Sequence, residues 1–459
     1  MTTSVNPRSR SKLIEARNRA GLTQEQVAEK IGVSVTTWIR WERGKTDVRR
    51  HNRDRIADLF GVPRSEVDQW VDEAAESVPW ESGKATFVSM TDTVETASEL
   101  WRWDVDPTRR RLLGAIPFLP VSLNEWLLSW TLDPSAETRA HSGSGPSVGT
   151  EDVRRIHVDM QAFDQMDRQH GGGRIRPAVV SYLNHEVAPL LHGTYSDEIG
   201  AQLMSAAALM TALAGWEAYD VGAHGLAQTH YGQALKLAKA ADDPLTAARV
   251  LSILAQQAID LRHPKLAMRL ASAAHQAGMR AEACPRVMAM LLLREATATA
   301  LSVALADTRD AHAAERVRRL IGAAERTFAS ISPADQEPSW IAYFTPAELT
   351  ACAGCCWEMV GEHRRALDCA EQAVRDLGAS FPRAIQFNTV HAATAQLGLN
   401  ELDQALASAK KAVPMANTLT SRRTIELVKA FDNKLDSHAD EPRVRDWRDY
   451  LRTELRVAS

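Results

Sequence analysis

Arg40 stands one helical turn after a run of short or hydrogen-bonding side chains, Ser34, Val35, Thr36 and Thr37. A guanidinium fork matches the two acceptors on the major-groove edge of guanine. A threonine hydroxyl can pair with donors or acceptors on a base, and a valine can lie against a thymine methyl. The chemistry open to this set is recognition of base edges, with no covalent bond made or broken.

Such side chains read a groove only if a rigid element presents them, and residues 22–44, LTQEQVAEKIGVSVTTWIRWERG, carry the signals for one. Thr23 can cap a first helix and Gln26, three residues on, can reach back to complete a capping box. Val27 and Ile31 give that helix an apolar face. Gly32 falls where the chain must turn through a positive φ. Ser34 can cap a second helix, on which Trp38 and Trp41, three residues apart, face the first helix and the core. Two helices locked around a glycine in this way form a helix-turn-helix, whose second helix lies in the major groove with its N-terminal side chains on the bases.

Residues 12–62 resemble the lambda-repressor-like, or XRE, family. Gln24 opens the first helix of the pair, WERG ends the motif at Trp41, Glu42, Arg43 and Gly44, and residues 56–62 supply the family's apolar close. The resemblance implies a five-helix DNA-binding head over residues 8–77. It also implies that Gln24 touches the groove edge, that Val35, Thr36 and Arg40 read bases, and that Arg43 and Lys45 hold phosphates. Ser34, Thr37 and Arg50 complete the expected DNA-facing set. Arg53 departs from the family, which places leucine there, so the last helix is expected to pack loosely or to lean on another part of the chain. Charge agrees with a DNA-binding head: residues 1–64 hold 14 Lys or Arg against 7 Asp or Glu, a net of +7. The whole chain is −4, which leaves −11 for the rest. A basic end on an acidic body suits phosphate contact.

The 459 residues, 45% hydrophobic and 24% charged, suffice for two or three domains with a large core. The first twelve residues show no apolar run after their basic residues, which argues against a secretory signal. Five cysteines without a regular framework fit a reducing cytoplasm. Residues 112–130 are the best membrane candidate, but Pro117, Pro120, Asn124 and Glu125 interrupt them, and a buried docking segment is the expectation. Trp80, Phe87, Trp101, Trp103, Trp126 and Trp130 make residues 78–133 an aromatic-rich helical connector that must pack on something. Residues 134–152, rich in Ser, Gly, Pro and Thr, read as a flexible linker.

Residues 153–459 are a succession of Ala- and Leu-rich helical patterns, so the chain is expected to be all-α. A small-residue signature recurs at Ala227, Tyr231 and Ala234; at Ala267, Ala271 and Ala274; at Ala366, Ala370 and Ala373; and at Ala405, Ala409 and Ala412. A degenerate copy lies near residues 317–324, and Gly215 and Gly354 stand twelve residues upstream of two copies. The pattern resembles tetratricopeptide repeats (TPR), with a longer spacing, and implies an α-solenoid for sensing and dimerisation. By that likeness the first helix of each hairpin lines a concave groove. The glycine register then turns Trp216, Tyr219, Arg249, Gln256, Glu348 and Glu358 toward an effector, with a peptide or an amphipathic small molecule as the expected class.

A DNA-binding head on a TPR-like body resembles the peptide-responsive regulators of Gram-positive bacteria. The stretches at residues 171–191 and 213–235 bring it closer to a large group of actinobacterial XRE regulators. The likeness implies a cytoplasmic homodimer that binds a double-stranded operator and responds to an effector, without naming one. The alternative is a TPR scaffold for a partner protein, localised on DNA by its head. No membrane, cofactor or enzymatic role is expected. Residues 145–149 match G-x-S-x-G and His170 begins an HGGG run, but Ser147 follows Pro146 in polar sequence and the two motifs stand in the wrong order for a hydrolase. Cys352, Cys355, Cys356 and Cys369 could be gathered as a zinc site. Their place around Gly354 favours small apolar filling instead, and no metal is expected.

Overall fold

A computed structural model describes residues 11–42, 48–71, 89–120, 123, 127, 139–143, 145–306, 310–378 and 381–455. The chain divides into two compact units, residues 1–84 and 85–459, and the described residues are almost wholly helical.

The first unit holds α1 (Ser11–Arg19), α2 (Gln24–Ile31), α3 (Val35–Glu42), α4 (Arg50–Phe60) and α5 (Arg64–Val71). Leu13, Val27, Ile31, Trp38, Ile56 and Val67 are fully buried at its centre, one or two from each helix. Trp38 meets Trp41 edge-on at 6.2 Å, and Phe60 meets Trp70 at 6.0 Å. The unusual Arg53 is accommodated because its Nε donates to the Val48 carbonyl (2.8 Å) and its guanidinium pairs with Asp68 of α5 (3.2 Å). Arg53 is thus held within the head itself, by α5 and by the backbone just before α4. The polar helix after Pro63 is seen to Val71; residues 72–77 lie outside the described residues.

The second unit begins with α6 (Met90–Val105) and α7 (Pro107–Gly114), followed by β1 (His141–Ser142), α8 (Thr150–His170), α9 (Gly172–Tyr182) and β2 (Thr194–Tyr195). Five pairs of sequence-adjacent helices come next: α10 (Asp197–Asp220) with α11 (His224–Ala241), α12 (Pro244–Asp260) with α13 (Pro264–Arg280), α14 (Pro285–Ala304) with α15 (Ala311–Ala329), α16 (Pro346–Met359) with α17 (His363–Asp376), and α18 (Pro382–Gly398) with α19 (Leu402–Thr418). α20 (Arg422–Lys434) and α21 (Pro442–Glu454) close the unit. Proline opens six of these helices from Pro244 onward, where its fixed φ suits the first turn and its missing N–H is no loss.

All four small-residue signatures lie on the second helix of a pair, and each of their residues is buried. Gly215 shows why small residues are needed: a Cβ there would stand 2.7 Å from the Tyr231 ring, and one at Gly354 would stand 2.9 Å from the Cys369 Cβ. The fully buried Tyr231 cannot swing aside. Gly215→Ala is therefore expected to destabilise the unit by about 1–3 kcal/mol. Gly114→Ala, with open space at its Cβ, should cost far less. Thermal unfolding of both variants checks this, and equal effects would mean that Gly215 does not set the spacing of its hairpin.

The connector is partly as expected. Asp104, on α6, is fully buried and accepts from Arg176 of α9 and from His230 Nε2 of α11 (2.8 Å). Burial would raise its carboxyl, but His230 and Arg176 outweigh that and hold it below the usual range. Phe118 stacks on His263 (5.5 Å), and Leu119 exchanges two 2.7 Å hydrogen bonds with Gln228. The linker expectation needs correction. In the described part of residues 134–152, β1 pairs antiparallel with β2, Gly143 and Gly145 donate to the carbonyls of Gly193 and His192, and Val148 is buried. Helix α8 starts at Thr150. Composition hid this because the segment is held by backbone bonds rather than by apolar side chains.

Candidate nucleic-acid interface

The turn between α2 and α3 is built as its residues require. Thr23 Oγ1 accepts from the Gln26 amide (3.2 Å) while Gln26 Oε1 accepts from the Thr23 amide (2.9 Å). Gly32 sits at φ 76° and ends α2. Ser34 Oγ accepts from the Thr37 amide (3.1 Å) and its hydroxyl meets that of Thr37 at 2.8 Å.

On α3 the structure separates readers from positioners. Val35, at 36% exposure, is open, as are Thr36 and Arg40. Arg40 has no ion pair among the described residues, so its fork is available. Ser34 is also exposed, but it and the half-buried Thr37 use their hydroxyls on the helix start. Gln24 differs from expectation: it is half-buried and its amide donates to Glu42. Its donor end thus fixes the motif instead of facing a groove. Arg50 is the first residue of α4, whereas Arg43 and Lys45 lie outside the described residues.

Glu42, not singled out from sequence, is the centre of the motif. Only 2% exposed, its carboxylate accepts from Arg17 Nε of α1 (2.6 Å), from Trp38 Nε1 of α3 (2.9 Å) and from Gln24 of α2. Three helices share one carboxylate, and the presenting face of α3 is fixed relative to α1 and α2. The four-residue spacing from Trp38 to Glu42 was a readable signal; the link to Arg17, 25 residues away, was not. Arg55 Nη1 adds a bond to the Ile31 carbonyl at the end of α2 (2.9 Å).

The six residues expected to face an effector all lie on the first helices of their pairs, in the second unit, and line one cavity of about 1090 Å³. Trp216 Nε1 donates to Asp167 (3.3 Å), Gln256 to Asp260 (2.7 Å), and Arg249 stacks on Trp340 at 4.7 Å. Glu358 pairs with Lys434 (2.6 Å) and His391 (3.7 Å). Burial would raise Glu358, but these two partners hold it at about 2. Glu348 has no ion pair among the described residues, and burial raises its carboxyl. Tyr219 is fully buried in that lining, bonded through its hydroxyl to Asp260 and covered by Arg423 at 4.6 Å, so its polar group is already engaged.

Behind that wall, Arg383 pairs with Asp167 (2.6 Å) and Asp220 (3.2 Å), both fully withdrawn from solvent. The residues that looked catalytic are placed in seams. Ser147 bridges to Thr194, and Gly171 and Gly173 lie against Thr420, which exchanges backbone hydrogen bonds with His170 and Gly173. Cys356 is buried and meets Thr297, and Cys355 meets His391 at 3.4 Å. Among the described residues no group of three His, Cys, Asp or Glu is placed to hold a metal ion.

The helix-turn-helix domain family matches residues 12–70, a span from the first turn of α1 to the last turn of α5. No curated protein matches the chain. The first unit thus carries a helix-turn-helix DNA-binding domain, which supports a role in transcription regulation.

Proposed function

We propose that the chain is a sequence-specific transcriptional regulator of the XRE type, acting in the cytoplasm as a homodimer on a double-stranded operator. Its body is a TPR-like solenoid that senses a peptide or small-molecule effector. The observation that carries the reading is the exposed set Val35, Thr36 and Arg40 on a helix whose orientation Glu42 fixes. The paired helices and their buried small-residue signatures support the solenoid. The large cavity, walled by groups of mixed polarity, supports a sensor rather than a bare scaffold. Five free cysteines suit a reducing compartment.

Arg40→Ala is expected to weaken operator binding by about 1–3 kcal/mol and to relax one base position. Lys45→Ala should instead weaken all sequences alike and flatten the salt dependence. Titration of both variants on operator and random duplexes at several salt concentrations separates the two roles. Unchanged operator affinity for Arg40→Ala would remove it from the readers.

A further inference from the structure

The cations around the cavity are unequally matched. Arg168 pairs with Asp164 (2.8 Å), Arg383 with Asp167 and Asp220, Arg423 with Asp260 (3.2 Å), and Lys434 with Glu358. Arg249 and Arg294 have no carboxylate partner among the described residues. Arg249 reaches the Trp340 carbonyl, at 3.5 Å, the rings of Trp340 and Tyr343, and the side chain of Tyr343. Arg294 donates Nε to Ser252 Oγ (3.3 Å). Each guanidinium carries five N–H donors and stays charged at any physiological pH, so most of this donor capacity is open.

Position strengthens the point. The two arginines come from the neighbouring first helices α12 and α14, and Ser252, which receives Arg294, lies on the same helix as Arg249. Both act on Tyr343, whose ring is also covered by Arg168 at 4.5 Å. Burial pulls the Arg249 guanidinium down, and Tyr343 and the more distant Asp164 do not offset it. Charges withdrawn from water are normally paired, and here Asp164 and Glu348 act on the two arginines only from beyond ion-pair distance, with no carboxylate among the described residues in direct contact with either. Glu348 faces the same space, but burial raises its carboxyl, so it opposes an anion less than its formal charge suggests.

We propose that Arg249 and Arg294 form the anion-binding end of the cavity, and that its ligand is an amphipathic anion with a carboxylate or phosphate group on an apolar or aromatic body. Planar forks grip the oxygens of either group, and Trp216, Leu293, Phe344 and Phe387 supply apolar wall for the remainder. The assignment rests on reading this cavity as the effector site.

Calorimetric titration of the full chain with phenyl phosphate, phenylacetate and neutral benzyl alcohol tests it. At least one anion should bind with a Kd on the order of 1 mM, and about tenfold tighter than the alcohol. The tighter of the two anions identifies the head group. The double substitution Arg249→Met with Arg294→Met should weaken that anion by about tenfold or more, while Arg319→Met on the outer face of α15 leaves it unchanged. Anions that bind no better than benzyl alcohol, or that bind the double variant as well as the wild type, would overturn the proposal. The comparison with the alcohol uses the wild-type chain and so decides even if the double variant fails to fold. Repeating an operator titration with the bound anion present tests the sensor reading separately: binding without any change in operator affinity would retain the anion site and remove its regulatory role.

Discussion

The Arg383→Met variant is expected to lose about 3–5 kcal/mol of folding stability at neutral pH, because its removal leaves two buried carboxylates without their common counter-charge. Asp167 and Asp220 come from α8 and α10, and Arg383 from α18, so one guanidinium ties the start of the helical body to its later part. Methionine preserves much of the volume and removes the charge. The loss should also depend on pH. Burial already raises the Asp167 carboxyl, and loss of Arg383 raises it further. In the variant the folded state then binds a proton that the unfolded state has released. Stability falls as pH rises through this window, and the deficit should be smaller at about pH 5 than at about pH 7. Urea unfolding at the two pH values measures both effects. A deficit below about 1 kcal/mol, the worth of an exposed pair, would show that Arg383 acts as a surface ion pair does.

In the first unit, Glu42→Ala is expected to cost about 3 kcal/mol or more, since Arg17, Trp38 and Gln24 lose their shared acceptor while remaining partly or wholly buried. A unit this small has little stability in reserve. Residues 24–42 should exchange amide hydrogens faster in the variant, while the helices of residues 197–398 keep their protection. Glu42→Gln, which retains an acceptor but not the charge, should fall between the variant and the wild type. Unchanged exchange in α2 and α3 of Glu42→Ala would show that the carboxylate does not hold the recognition helix.

The features legible in the sequence are those encoded locally. Thr23, Gln26, Gly32 and Ser34 act within four residues of themselves, and the helix ends follow from their types alone. The hairpins were legible for a related reason: small residues at fixed spacing mark where two helices touch, and Gly215 against Tyr231 shows the contact. Long-range polar pairing was not legible. Arg383 stands 216 residues from Asp167, and no spacing encodes that Arg249 and Arg294 lack a carboxylate in direct contact among the described residues. For Tyr219 the helical register gives the direction of the side chain but not what covers it, here Arg423 and Asp260. The fixed part of the 134–152 segment was not legible, because the backbone hydrogen bonds of Gly143, Gly145 and Val148 leave no trace in composition.

Selection from a library of randomised duplexes, performed in parallel with the full chain and with its Arg40→Ala variant, tests the central claim most directly. The wild type is expected to enrich a motif of two related half-sites, each with a guanine at one fixed position. The variant should enrich the same motif with that position relaxed. No enrichment by the wild type, or an identical motif with the guanine still fixed in the variant, would contradict the assignment of α3 as the helix that reads DNA.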